Sequence, residues 1–138
     1  MKQNKIKAII CEPNEPPRVE YIAQDLHSLQ GIVGGLIQVI YPHEDDTCII
    51  LNDEGKLMNL AMNRPLKDSR GAVYDVMCGT FIICACNDER GDFADLTDEQ
   101  TAHYMDEYRE PITDETADIY EPLSKPWFEF CPLDDVTL

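Results

Sequence analysis

The sequence is short of several things, and each shortage removes a class of function. No apolar run reaches the ~18 residues needed to span a bilayer as a helix. Bases are scarce, with 11 Lys and Arg against 27 Asp and Glu, a formal charge of -16. A surface of that sign repels nucleic-acid and membrane phosphates, because binding them requires positive charge that releases counterions. No GxGxxG or Walker pattern occurs to cradle phosphates. No D-x-D-x-D-G register offers a calcium loop. No Ser-centred elbow is present, and no nucleophile stands beside a base in sequence.

Cysteine, by contrast, is not scarce. Six occur, at 11, 48, 78, 84, 86 and 131. Most sit inside apolar runs (AIIC, TCIIL, FIICAC), where a thiol behaves as a small hydrophobe and its thiolate is disfavoured. Cys84-Ala85-Cys86 places two side chains on one face of a strand but lacks the two-residue spacer of zinc knuckles and redox motifs. His27, His43 and His103 form no local ligand pattern with them. The expectation is therefore no metal, no cofactor and no enzyme. MKQNKIKAII meets CEPNEPP at once, which makes a poor signal peptide and a good first strand. A cytoplasmic protein with reduced thiols is expected.

The charge is uneven along the chain. Residues 1–86 hold 11 acids and 8 bases, whereas residues 87–138 hold 16 acids and 3 bases. The first segment is nearly balanced, and the second is an acidic block that would attract a basic surface or simply keep the chain soluble.

The periodicities predict an α+β fold: a small, mostly antiparallel sheet, two or three short helices, and an acidic, proline-rich C-terminal arm. IKAIIC and VEYIA read as strands separated by a proline turn. DLHSLQGIVGG reads as a short helix with Leu26, Leu29 and Val33 on its buried face and Gly34-Gly35 at its end. IQVIYP and TCIILN should pair as a hairpin. DEGK is a tight turn in which Gly55 takes positive φ. PLKDSRGAVYD looks like an irregular excursion with a turn at Ser69-Arg70-Gly71. VMCGTFIICAC, 76–86, reads as one central strand, with a bulge or close approach at Gly79. Thr97 and Gln100 form a capping box that opens a helix with Thr101, Tyr104, Met105 and Tyr108 as its buried stripe. TDETADIY suggests another helical turn, and WFEFC an edge strand. Residues 1–109 are expected to be a compact domain, with 110–138 packed on it or extending it.

Together, SLQGIVGGLIQVIYPHED, NDEGKL, NRPLKD, YDVMCGTFIIC and DFADLTDE resemble, in order and spacing, the domain of unknown function 3846 family over roughly residues 6–100. The resemblance implies a small accessory protein of phages, conjugative elements and the gut-bacterial genomes that carry them. Two departures stand out. ICACNDERG is more cysteine-rich than the family pattern, and the acidic arm beyond Arg109 lies outside the common core.

Two candidate sites follow. One is an acidic, protein-binding surface made of Asp88, Glu89, Asp92, Asp95, Asp98, Glu99, Asp106, Glu107, Glu110, Asp114, Glu115 and Asp118. Carboxylates spaced along a helix and arm imitate the charge of DNA, so a phage protein of this kind would occupy the basic groove of a host restriction or CRISPR-type defence protein. The other is an anion site at Lys56, Asn63 and Arg64, between subunits of a homo-oligomer, acting as a sponge for a nucleotide-type signal. There Arg64 would offer a planar donor fork to phosphate or carboxylate, or be pinned by Asp68 or Asp75 as an internal brace. A structural domain without any ligand is the third reading.

Overall fold

The computed structural model describes residues 5–87 and 92–125. The strands are β1 (Lys5–Cys11), β2 (Arg18–Ala23), β3 (Ile37–Ile40), β4 (Thr47–Asn52), β5 (Met62–Lys67), β6 (Val73–Cys78), β7 (Phe81–Asn87) and β8 (Asp92–Ala94). The helices are α1 (Leu26–Val33), α2 (Asp98–Glu107) and α3 (Ala117–Tyr120), followed by a 3-10 turn at Glu121–Ser124. The main sheet runs β2-β1-β7-β4-β3, with every described pairing antiparallel. The α+β expectation therefore holds.

Helices and a hairpin cover both faces of this sheet, which is why its central strands are apolar at successive positions rather than alternating. Ala8, Ile10, Cys48, Ile50, Ile82 and Cys84 point to one face and pack under Leu29 and Val33 of α1. Their neighbours Ile9, Cys11, Ile49, Phe81 and Ile83 point to the other, against Leu66, Met77 and the two tyrosines of α2. Helix α1 is opened by Asp25, whose carboxylate accepts from Ser28 N at 2.9 Å, and closed by Gly34 at φ 83°. Leu26 does not join its buried face. It stands 58% exposed in the first turn, and Ile32 fills that place instead.

β7 divides one of its edges between two partners. Its first half pairs with β1, Ile9 opposite Ile83, and its second half with β8, Ala94 opposite Ala85. Where β1 leaves β7, Lys7 turns to the chain after β8. Its N–H donates to Asp95 Oδ1 at 2.7 Å, and its carbonyl accepts from Leu96 N at 3.0 Å.

Three other expectations need correction. The run 76–86 is two strands in two sheets, β6 and β7, divided at Gly79 (φ 90°), where a Cβ would lie 2.7 Å from Leu60. The region taken for an excursion is the β5–β6 hairpin. Its turn is held by Asp68, whose side chain accepts from Arg70 N and Ala72 N. Gly55 is needed for space rather than for positive φ, since a Cβ there would sit 2.5 Å from the Cys78 carbonyl.

Helix α2 begins with the expected capping box, Gln100 N to Thr97 Oγ1 at 3.0 Å and Thr97 N to Gln100 Oε1 at 2.9 Å. It ends at Glu107, ahead of Pro111. Of the segment read as an arm, residues 110–125 lie on the hairpin: Ile112 is buried with Val76 and Cys78, and Tyr120 and Leu123 pack beside them. The predicted NDERGD turn falls mainly, and the WFEFC strand wholly, outside the described residues.

Candidate functional site

Strand β5 carries a bulge. Met62 pairs with Cys78 and Arg64 with Met77, so two steps on β5 answer one on β6. In a regular strand Asn63 and Arg64 would point to opposite faces. The extra residue turns both inward, and both are 0% exposed. Asn63 Nδ2 donates to the carbonyls of Cys11 and Gly79, each at 2.8 Å. Arg64 spreads its fork over main-chain carbonyls: Nε to Tyr108 at 2.8 Å, Nη1 to Glu12 at 3.2 Å, and Nη2 to Glu15 at 2.8 Å. Nη1 also donates to Asn63 Oδ1 at 2.7 Å. Burial lowers the guanidinium pKa, and Glu110 works in the opposite direction.

Arg64 is thus an internal brace, resting on carbonyls rather than on Asp68 or Asp75. It ties the β1–β2 loop and the end of α2 to the hairpin. Lys56 lies elsewhere, its Nζ 2.5 Å from Asp75 Oδ1. The three residues proposed for an anion do not converge, and the donors an anion would need from Arg64 are already engaged by the protein.

The carboxylates proposed for protein binding do reach the surface. Asp92, Asp95, Asp98, Glu99, Asp106, Glu107, Glu110, Asp114, Glu115 and Asp118 are all exposed, whereas Asp88 and Glu89 lie outside the described residues. Helix α2 turns Tyr104 and Tyr108 to the sheet and its acids outward. Asp95 and Asp98 also have structural partners: Asp98 meets Lys7 Nζ at 2.8 Å, which holds the Asp98 carboxyl below its usual value. His103–Glu107 at 3.2 Å and Arg109–Asp106 at 3.2 Å are exposed pairs on the helix surface, a kind worth well under ~1 kcal/mol.

A third constellation was missed in sequence. His43 and Asp45 precede β4, Thr47 begins it, and Tyr104 and Tyr108 hang from α2. Thr47 Oγ1 donates to Asp45 Oδ1. It therefore accepts from His43 Nδ1, at 2.8 Å, which places the ring proton on that nitrogen. Nε2 is left to accept from Tyr108 Oη at 2.8 Å. Tyr104 Oη donates to Asp45 Oδ2 at 2.7 Å, and its ring stacks on His43 with centroids 4.2 Å apart.

Burial lowers the His43 pKa; Glu107 and Asp45 pull it up, and His103 pulls it down. Burial would raise Asp45, but the hydrogen bonds from Thr47 and Tyr104 more than offset that and leave it below the usual carboxylate value. Burial pushes both tyrosines well above the ordinary phenol range. The network resembles a relay, yet Thr47 is only 1% exposed, so its hydroxyl has no approach for a substrate. Its work is to fasten the β3–β4 turn to the acidic helix. A signal was available, since His-x-Asp-x-Thr alternates while Tyr104 and Tyr108 stand one helical turn apart.

Three of the cysteines make a dry cluster. Cys48 and Cys84 face each other across β4 and β7, their sulfurs 3.8 Å apart, and Cys86 packs on the same side. The hydrogen bond to Cys48 and burial push the Cys84 thiol far up, and burial pushes Cys11 up to about 12. None of the five described cysteines is in a disulfide. Among the described residues no three His, Cys, Asp or Glu side chains group to hold a metal ion, and no helix is long and apolar enough to cross a membrane.

No curated protein and no solved structure matches this chain. One family model does, over residues 6–109, so the match takes in the whole of α2 and stops where the segment packed on the hairpin begins. That segment's acids, from Glu110 onward, lie beyond the match; those of α2 lie within it. The order of strands, the glycine-bounded α1 and the capped acidic helix thus fall inside one recognised unit, and the chain belongs to the family described as Domain of unknown function (DUF3846).

Proposed function

We propose that this chain is a non-enzymatic accessory protein that binds a basic surface on a partner protein through the outward carboxylates of α2 and the segment after it. The observation that carries the reading is the unequal disposition of charge. Ten of the twelve candidate acids are described, and all ten are exposed. Of the nine described bases, Lys7, Arg18, Lys56, Arg109 and Lys125 sit in ion pairs and Arg64 is inside, while Lys5, Lys67 and Arg70 stand exposed, Lys67 near Asp106, Glu107 and Glu110. Ten exposed candidate carboxylates outnumber these bases, so the face stays negative to a partner that comes within the ~8 Å Debye length of physiological salt.

Helix α2 carries its acids as two pairs, Asp98-Glu99 and Asp106-Glu107, about 12 Å apart along the axis, and with the acids after it they present the negative sign of a phosphate backbone. The natural partner is a protein whose groove binds nucleic acid. Combined with the mobile-element setting that the family resemblance implies, the reading becomes phage counter-defence: DNA mimicry, in the host cytoplasm, against a restriction or CRISPR-type protein.

The test is a pull-down from host lysate followed by Kd measurements on the captured protein between ~50 and ~500 mM salt, where screening grows steeply. The variant for comparison changes Glu99, Asp106, Glu107, Glu110, Asp114, Glu115 and Asp118 to their amides, sparing Asp95 and Asp98 because they hold Lys7. Binding should weaken steeply with salt and be largely lost in the amide variant. A captured partner whose affinity ignores both changes would sink the acidic-surface reading.

A further inference from the structure

The second face of the main sheet is not filled to its edge. Between β3–β4 and β6 it leaves a cavity of about 370 Å³, at the small end of the roughly 300–1,000 Å³ typical of ligand sites. Leu66, Val76 and Met77 are buried at its base, and Ile40 and Leu51 continue the apolar wall. Its mouth is charged: Asp53, Glu54 and Asp75 stand there with Lys56. Three carboxylates against one ammonium leave a formal charge of -2.

Lys56 is already committed to Asp75 Oδ1, which also accepts from Val76 N at 2.7 Å. Both contacts use Oδ1, and the Asp75 side chain is 41% exposed, so its carboxylate stays open to the mouth. An apolar base under a negative rim with an open acceptor suits one kind of guest. A phosphate or carboxylate would meet repulsion there, despite Lys56.

We propose that this cavity binds a small organic cation: a primary ammonium on a flat apolar body, with the ring on the Leu51–Met77 floor and the ammonium at Asp75 Oδ2 and Glu54. The ring supplies burial, and the charge-assisted hydrogen bonds supply the preference for a cation. Lys56 then acts as a positioning residue, keeping Asp75 turned across the mouth.

Tryptamine and indole-3-acetate carry the same ring with opposite charge, and they test the idea directly. In a titration of the isotope-labelled protein followed by NMR, tryptamine should shift the amides of Leu51, Val76 and Met77 saturably. Indole-3-acetate should bind at least about tenfold more weakly, the worth of one good charge-assisted contact. Asp75→Asn should weaken tryptamine by a similar factor. Glu54→Gln, at an exposed position, should weaken it less. Equal or tighter binding of indole-3-acetate would overturn the proposal. So would tryptamine shifts confined to α2 and its acids, which would mean charge attraction without a site.

Discussion

The two faces of the main sheet are packed by different chemistry. The face under α1 is dry, built from isoleucines, Leu29, Val33 and thiols, and it is cohesive by burial alone. The opposite face carries aliphatic side chains too, but threaded through them are the Asn63–Arg64 brace and the His43–Asp45–Thr47–Tyr104–Tyr108 circuit. Burial has no direction, so the dry face resists unfolding without specifying much. Hydrogen bonds have direction, and the wet face is where the hairpin, the β1–β2 loop and the acidic helix are set relative to one another.

The comparison predicts that the wet face is the more fragile under single substitutions. Arg64→Met keeps most of the volume but strands the carbonyls of Glu12, Glu15 and Tyr108, and should cost on the order of 4–5 kcal/mol. At a few degrees per kcal/mol for a chain of this size, the melting temperature should fall by roughly 15 °C. On the dry face, Leu29→Ala should cost about 3 kcal/mol, from transfer plus cavity. Calorimetry of the pair orders the two effects. A larger drop for Leu29→Ala would break the comparison.

Next in size is a pH effect that only the wet face can show. His43 faces Asp45, Thr47, Tyr104, Tyr108, Glu107 and His103, and its folded pKa is depressed by burial. The unfolded chain therefore binds the proton more readily. The stability from neutral His43 is complete above the unfolded value near ~6.5 and is lost as pH falls below it, by at most about 1.4 kcal/mol per pH unit. Urea denaturation from pH 7.5 to 5 should show that decline, and His43→Gln should flatten it. Asp45 acts in a lower window, because its depressed pKa withdraws stability only below the ordinary carboxylate value. A wild type flat from pH 7.5 to 5 would remove His43 from the account.

The smallest effect sharpens the boundary of the acidic helix. Thr97→Ala opens the capping box and should cost about 1 kcal/mol. The loss should appear as faster amide exchange in the first turn of α2, with the α1 face unchanged.

Sequence and structure agree wherever one local rule governs. Asp25 and Gly34 bound α1, Thr97 and Gln100 open α2, and β3 and β4 pair around the HEDD turn as the pattern requires. Reading failed where two elements share one composition. Residues 76–86 are apolar but for Gly79 and Thr80 because β6 and β7 are both buried, so only that pair marks their division, and the positive φ of Gly79 is invisible in a string of letters. It failed again at β5, where a bulge turns two successive polar residues inward and erases the alternation that identifies a strand. Arg64 showed why such a residue resists assignment: a brace on carbonyls has no partner type to look for. The acids were legible as charge, and their exposure followed from the tyrosine stripe.

The split edge of β7 has a consequence for how the chain assembles in time. The first strand is completed at one end by residues 81–83 and at the other by Asp95, Leu96 and Asp98. Contacts so distant in sequence slow folding, since the loop must close before they contribute. During synthesis β1 and β2 can form early as a hairpin that α1 covers on one face, but the other face, with Ile9 and Cys11, stays uncovered until the ribosome has delivered α2. The acidic helix is thus also a latch that closes the sheet begun by the first strand, before α3 and the segment packed on the β5–β6 hairpin arrive.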